Sequence, residues 1–306
     1  LLNNKIMNIL ILGGSGLIGK AFIQSALTSS HQIWVLSRRP EQSGLPPEVK
    51  TMAWDGQTNS GWADLIENMD VLINLAGENI GSGRWDKARK ERIRTSRVKA
   101  GQAVVQAIQS ARRRPSVLLQ ASAIGYYGPH HDEILDESAQ PGQDFLSSIC
   151  QDWENATTPV ESLGVRRILI RTGIVLSRRA GALPRLLLPF QLFAGGPLGS
   201  GQQWWPWIHL QDQISAMQFL MVHPQAAGAY NLVAPTPVRM ADFGRILAQT
   251  LHRPYWLPAP AFALRLLLGE MSTIVLDGQR AIPQRLLGLG YKFQFPQLSS
   301  ALSDLF

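Results

Sequence analysis

Cysteine is nearly missing from this 306-residue chain: Cys150 stands alone. No intramolecular disulfide can form, and a reducing compartment suits such a sequence. Lysine is missing over a long stretch, with none between Lys99 and Lys292. Long apolar runs are missing as well. Even Leu183–Phe193 is interrupted by proline and arginine and is too short to span a bilayer. The first apolar segment runs into glycines and not toward a cleavage site, so it does not read as a signal peptide. No internal repeat and no low-complexity segment is found. A cytoplasmic protein without a membrane segment is expected. Carboxylates are outnumbered: 29 Lys and Arg against 22 Asp and Glu leave a formal charge of +7. That balance raises anionic ligands or nucleic acid as partners. Between Arg84 and Lys99, however, the basic residues are mixed with Asp86 and Glu91, which reads as a solvated helix face. Nucleic acid is therefore not expected, and phosphate-bearing small molecules would use the arginines equally well.

With 45% hydrophobic residues the chain can bury a sizeable core in one or two domains. Its most telling segment is Met7–Leu12, which breaks into Gly13-Gly14-Ser15-Gly16-Leu17-Ile18-Gly19. An aliphatic strand that turns on glycines and continues as a helix is a phosphate cradle. Glycines let the backbone approach a pyrophosphate, and the helix N-terminus offers free N–H groups and a positive dipole end. Gly13, Gly16 and Gly19 would hold the pyrophosphate, with Ser15, Leu17 and Ile18 beside it. A second strand ends about twenty residues on, as a dinucleotide fingerprint requires. There an NAD site usually carries an acid for the ribose 2′-hydroxyl, whereas this chain has Ser37-Arg38-Arg39. Guanidinium groups fork onto a 2′-phosphate, so NADP is the expected cofactor. Asn74-Leu75-Ala76-Gly77 would let backbone pass close to the adenosine.

The first half alternates strands (7–12, 32–36, 51–54, 71–75, 117–121, 167–171) with helices (17–27, 87–110, 145–163). Continuous apolar strands alternating with helices imply a doubly wound parallel sheet, an α/β Rossmann-like fold. Leu1–Ile6 are expected as a short disordered lead. After Thr172 prolines and glycines loosen the pattern. Helices are expected over 211–222, 240–251, 261–268 and 277–287, with a strand at 229–233. The expected division is a dinucleotide-binding domain over 1–178 and a smaller mixed C-terminal lobe over 179–306, with elements near 205–250 returning to the first.

The chain resembles the extended short-chain dehydrogenase/reductase superfamily through Gly13–Gly19, Asn74–Gly77 and Ser122-Ala123-Ile124-Gly125-Tyr126-Tyr127-Gly128. More narrowly it is similar to the atypical, epimerase-like branch of YfcH-type proteins and their human relatives. The matches are Leu75–Ile80, Ser96-Arg97-Val98, Arg171–Leu176, Gly195-Gly196-Pro197 and Trp207-Ile208-His209. In the tail, Gly269-Glu270, Gly278-Gln279-Arg280 and Pro283–Leu286 resemble that branch's own C-terminal domain. The resemblance implies an NADP-binding Rossmann domain with a small C-terminal lobe. Ser37 and Arg38 would meet the adenosine ribose phosphate, and Leu75 and Ala76 would line the path from adenosine to ribose. Arg97 would be a further cofactor contact, and Ile174 would abut the nicotinamide.

In the superfamily a serine polarises the substrate oxygen and a tyrosine, with a lysine four residues later, moves the proton. Ser122 matches the serine; a strand-end hydrogen-bonding role is its alternative. The helix that should carry the couple reads Phe145–Glu154 without tyrosine or lysine, and Cys150 and Glu154 stand at the two positions. A thiol buried beside an acid has its pKa raised, so Cys150 is expected to be structural. Tyr127, with no lysine to lower its pKa, is expected to line the substrate more than to exchange protons. His130-His131-Asp132 reads as a solvated loop and no metal site is expected. Trp204-Trp205-Pro206-Trp207 is expected in the core between lobes, and Asp212 as the cap of the following helix. Two functions follow: an NADP-dependent oxidoreductase or epimerase on a small carbonyl or sugar-nucleotide substrate, or a non-catalytic NADP-binding, redox-sensing protein. Substrate identity and oligomeric state are not written in the pattern.

Overall fold

Isoleucine and leucine alternate along the first strand, and the fold sends them to opposite sides. In the computed structural model, which describes residues 6–306, Ile9 and Ile11 join one buried cluster and Leu10 and Leu12 another. Residues 1–5 of the expected lead lie outside the described residues. The strand is buried on both faces, as a central parallel strand must be. Seven parallel strands form the main sheet: β1 (Asn8–Leu12), β2 (Gln32–Ser37), β3 (Lys50–Ala53), β4 (Val71–Asn74), β5 (Val117–Ala123), β7 (Arg166–Thr172) and β11 (Gly228–Leu232). Their order is β11-β7-β5-β4-β1-β2-β3. Three two-stranded ribbons complete the set. They pair β6 (Ile134–Leu135) with β13 (Arg280–Ala281), β8 (Ile174–Leu176) with β10 (Trp207–His209), and β9 (Trp204–Trp205) with β12 (Val238–Arg239).

Helices α1 (Leu17–Thr28) and α5 (Leu210–Val222) cover the face bearing Ile9, Ile11 and Ile170, through Phe22, Ile23, Met217 and Leu220. Helix α2 (Lys87–Ser110) covers the other face through Ala103, Val104 and Ile108. Each of the larger side chains among these, Phe22, Ile23, Val104, Ile108, Met217 and Leu220, contributes about 1.5–3 kcal/mol by leaving water. This is a Rossmann-like α/β fold, and β11 and α5 do return to the main sheet. The rest of the C-terminal half comprises α4 (Leu183–Gln191), α6 (Met240–Thr250), α7 (Ala261–Leu268), α8 (Thr273–Leu276), α9 (Gln284–Gly288) and α10 (Leu298–Leu305).

Three expectations need correction. The helix expected over 145–163 stops early: α3 spans Phe145–Asn155, and a separate 3-10 turn follows over Thr158–Leu163. Pro159 has no N–H with which to continue the α-helical ladder. The helix expected over 277–287 is instead an extended crossing, β13, and the short α9. Gly278 there passes so close to Trp204 that a Cβ would lie 2.0 Å from the carbonyl oxygen. Asp212 does not cap α5; His209 does, its Nδ1 accepting from the Gln211 amide at 3.2 Å.

Fully buried Asp212 has a different task. Its carboxylate accepts the amides of Gln294 and Phe295, each at 2.8 Å, and the Tyr291 hydroxyl at 3.2 Å. It thereby pins the C-terminal segment to α5. Of the tryptophans expected in the core, Trp205 and Trp207 are buried in a cluster with Phe243 and Leu247, whereas Trp204 is only half-buried and donates its indole N–H to Asp132 at 2.9 Å. Replacing Asp212 with alanine leaves the Gln294 and Phe295 amides without an acceptor and should cost about 3 kcal/mol in urea unfolding. Asp242, exposed and paired with Arg245, should cost under about 1 kcal/mol on the same change. Equal losses at the two sites would show that the tail is not held this way.

Candidate functional site

Strands β1 and β4 are neighbours, yet the chain leaves β1 toward β2 and β3 on one side and builds β4, β5 and β7 on the other. That reversal opens a crevice beyond the carboxyl ends of the strands. The glycine turn lies there. Gly13 takes φ +81°, and a Cβ on it would come within 2.8 Å of the Leu75 carbonyl. Gly16 is extended and opens α1, with no side chain capping the helix. A Cβ on Gly16 would meet only the Gly13 oxygen, at 3.5 Å, so the space over the helix end is open. Ser15 and Gly16 are exposed; Leu17 and Ile18 are half-buried beside them. Gly19 differs: it is buried, and its Cβ would lie 2.6 Å from Gly14 Cα. Its smallness lets the helix pack on the turn and offers nothing to a ligand.

At the end of β2, Ser37 Oγ accepts the Arg39 amide at 3.2 Å. Arg38 is exposed, with its stem running along Gly56 (φ +83°). Asp55, the carboxylate beside Gly56, is occupied by its own turn. Oδ1 accepts the Gln57 and Thr58 amides, both at 2.8 Å, and Oδ2 the Thr58 hydroxyl at 2.7 Å. These bonds hold its pKa below the ordinary carboxylate range. At the end of β4 the buried Asn74 accepts the Ala76 amide at 3.2 Å and turns the chain. Exposed Gly77 leaves room for Arg97, whose Cζ would lie 3.1 Å from a Cβ there. The Arg97 guanidinium rests 4.8 Å above the Trp153 ring, donates to the Ile93 carbonyl at 3.0 Å, and has its pKa lowered by burial. Ile174 is half-buried at the start of β8, its amide bonded to the Pro206 carbonyl at 2.7 Å. The uncapped helix end, the open space at Gly16 and the exposed guanidinium at Arg38 fit a phosphorylated dinucleotide.

A polar layer lies deeper, at the ends of β5 and β7. Asp144 caps α3 by accepting the Ser147 amide at 2.9 Å, and from that start Cys150 and Glu154 fall one turn apart on the buried side. Ser122 Oγ donates to Glu154 Oε1 at 2.6 Å. Arg171, on β7, grips the same carboxylate with two bonds, Nε to Oε1 and Nη2 to Oε2, both 2.9 Å. The two side chains are only 5% and 8% exposed, so each charge depends on the other. Burial lowers the Arg171 pKa, but the Glu154 carboxylate outweighs it, and the net shift is upward. The guanidinium also stacks on the Tyr126 ring at 3.4 Å and donates to the Tyr127 hydroxyl at 3.1 Å. Tyr127 in turn donates to Asn231 Oδ1 at 2.7 Å, and Asn231 donates to the Ile282 carbonyl at 3.0 Å.

Ser122 thus stands in a hydrogen-bonded layer, whereas Tyr127 is fully buried with its hydroxyl engaged on both sides. Burial pushes its pKa up to about 12. Burial, and then Glu154, pushes the Cys150 thiol up to about 12 as well. Glu154, Arg171 and Asn231 carry this layer, and sequence reasoning gave none of them a role. A carboxylate on the apolar side of α3 and an arginine inside an apolar strand were the available signals. Two open grooves of about 440 and 470 Å³ run along α2; their linings do not include Ser122, Arg171 or the glycine turn.

The chain is similar to known proteins over nearly its whole length. Residues 9–233 match the "NAD dependent epimerase/dehydratase family", and residues 259–305 match a domain of unknown function, DUF1731. The chain is 39% identical over 298 residues to an epimerase family protein of Staphylococcus aureus, SAB0724c, covering 97% of this chain and 98% of that one. It is 37% identical over 302 residues to Bacillus subtilis YfhF, an epimerase family protein, covering 98% of each. The crystal structure of human epimerase family protein SDR39U1 with NADPH superposes with TM-score 0.89 at 32% identity, over 98% of this chain and 99% of that one. A Bacillus cereus UDP-glucuronic acid 4-epimerase in complex with NAD shares the fold at 16% identity and TM-score 0.78, over 98% and 95% of the chains.

Removing Arg171 while filling its space, as Arg171→Met, strands a buried carboxylate. The variant should lose about 3–5 kcal/mol in chemical denaturation. A loss below about 1 kcal/mol would mean that Glu154 does not rely on the pair. Cys150 should resist alkylation in the folded protein at pH 8 and react at once in denaturant; rapid labelling of the native state would contradict its burial.

Proposed function

The chain belongs to the NAD dependent epimerase/dehydratase family, and from that premise we propose an NADP-dependent oxidoreductase or epimerase acting on a small carbonyl or sugar-nucleotide substrate. The observation that carries this reading is the 2.6 Å bond from Ser122 to Glu154 at the end of β5, in the same parallel sheet whose β1 leads into a glycine turn with an open helix end. The backbone at Ser15, Gly16, Leu17 and Ile18 would hold the pyrophosphate, with Gly13 and Gly19 shaping the turn. Ser37 and Arg38 would take the 2′-phosphate, since no free carboxylate ends β2 and Asp55 is occupied. Leu75, Ala76 and Gly77 would line the adenosine-to-ribose path, with Arg97 beneath and Ile174 against the nicotinamide. When bound, that cofactor supplies or takes up a hydride.

The chain's own part is the proton. Ser122 directs its hydrogen at Glu154, which leaves the Oγ lone pairs as an acceptor for a substrate hydroxyl. As Oγ accepts the substrate proton, its own proton passes to Glu154 Oε1. Arg171 keeps the carboxylate oriented through its two bonds. This serine–glutamate relay replaces the absent tyrosine–lysine couple. Tyr127 acts by position: it fixes Arg171 and Asn231, and its raised pKa suits a permanent hydrogen-bond donor.

A second reading draws on the Tyr127–Asn231–Ile282 bonds, which tie the polar layer to the C-terminal segment. In it, the protein binds NADP without turnover and cofactor occupancy sets the position of that segment.

Calorimetry should find NADPH bound about tenfold or more tighter than NADH, a preference that Arg38→Ala erases. Equal binding before mutation removes the NADP assignment. In a screen of aldehydes, ketones and nucleotide sugars, Ser122→Ala and Glu154→Gln should each lower NADPH-dependent turnover by about a hundredfold or more, with NADPH affinity unchanged. Turnover indifferent to both changes would defeat the relay. Cofactor binding with no turnover across the screen would favour the second reading.

A further inference from the structure

The 3-10 turn that leaves β5, Ile124–Tyr127, carries two tyrosines in succession, and they meet opposite fates. Tyr127 is sealed, its hydroxyl held between the Arg171 guanidinium at 3.1 Å and Asn231 Oδ1 at 2.7 Å. Tyr126 is half-buried, and among the described residues its hydroxyl has no hydrogen-bond partner. The rest of Tyr126 is fixed. The Arg171 guanidinium lies 3.4 Å from its ring centroid, and Tyr127 meets the ring edge-on at 5.3 Å and 88°. One flank packs on Ile124, Leu135 and Val233. Its carbonyl accepts the Ser147 hydroxyl at 2.8 Å and the Gly142 amide at 3.0 Å. A Cβ on the preceding Gly125 would stand 3.4 Å from Leu146 Cβ, so the turn lies directly on α3.

This turn starts at the carboxyl end of β5, on the crevice side of the sheet and just beyond Ser122. The guanidinium that carries the Tyr126 ring also grips the carboxylate that Ser122 bonds. The free hydroxyl therefore belongs to the same layer as the serine. Because its ring and backbone are already held, binding a ligand there costs little ordering. The layer is neutral in sum, Glu154 against Arg171, which suits an uncharged group. A phenol both donates and accepts, and so matches a hydroxyl. A plain aldehyde or ketone brings one oxygen, which Ser122 takes; Tyr126 has a bond to offer a second.

We propose that Tyr126, and not Tyr127, is the tyrosine that meets the substrate, and that its hydroxyl bonds a second, uncharged oxygen of a polyhydroxylated compound. This assignment rests on Ser122 holding the reacting oxygen, as proposed for the relay, and narrows the substrate class. Tyr126 moves no proton; it selects. A substrate lacking the second hydroxyl leaves Tyr126 to water and gains less from the site.

Nitration of the whole protein with tetranitromethane, mapped by mass spectrometry, reads the contact without turnover. With oxidised NADP present, Tyr126 should be modified and Tyr127 spared. UDP-glucose or glyceraldehyde, but not propanal, should shield Tyr126. In steady state, NADPH-dependent reduction should favour glyceraldehyde over propanal by about tenfold or more in kcat/KM. Tyr126→Phe removes one oxygen that bonds no protein atom among the described residues, so the thermal melt and NADPH affinity should hold. The preference should vanish through a higher KM for glyceraldehyde, with its kcat within about twofold. Tyr126 inert to the reagent, no shielding by either hydroxylated compound, or a preference that survives Tyr126→Phe overturns the proposal. Shielding without turnover upholds Tyr126 and removes only the catalytic reading. Turnover without shielding removes Tyr126 and leaves that reading in place.

Discussion

Two opposite charges sit side by side between α3 and β7, where almost no water reaches them. Neither Glu154 nor Arg171 is tolerable there alone, because an isolated buried ion is strongly disfavoured. Their bidentate contact settles the matter, and the surrounding layer is arranged around it. Ser122 bonds the carboxylate, Tyr127 bonds the guanidinium, and Tyr126 stacks beneath it. Asn231 then carries the chain of bonds from β11 to the C-terminal segment at Ile282. A change at the pair would therefore be felt in two places, at Ser122 and at the Asn231–Ile282 contact.

The same pair explains how a dinucleotide-binding fold accommodates the loss of a tyrosine–lysine couple. Glu154 reverses the sign of the charge that a lysine would bring, and Arg171 restores neutrality from the adjacent strand. Cys150, one turn earlier, fills space as a protonated thiol. The polar layer is thus complete without the couple, with its serine donating to Glu154. Arg97, stacked on Trp153 beneath Gly77, keeps a positive charge near the crevice.

Much of the fold was legible because its rules are local. Alternating Ile and Leu in β1, the glycine turn, and the twenty-four-residue amphipathic α2 each announce themselves within a short window. Where distant chain approaches, local reading misled. Asp212 looks like a helix cap, yet its carboxylate is claimed by the Gln294 and Phe295 amides, some eighty residues away. The segment after Asp277 looks helical, yet Trp204 presses against Gly278 and holds it extended. Pro159 was a local stop signal, since it has no N–H with which to continue the ladder beyond α3.

By itself, the order of residues determined the parallel sheet, the glycine turn at the head of α1, and the arginine in place of an acid after β2. These depend on periodicity and backbone freedom, which act over a few residues. Only the tertiary structure decided that Glu154 meets Arg171 and Ser122, that Tyr127 is sealed, and that α7 is left bare. Each of those outcomes depends on which surfaces meet across long stretches of chain, and packing of that kind leaves no periodic trace.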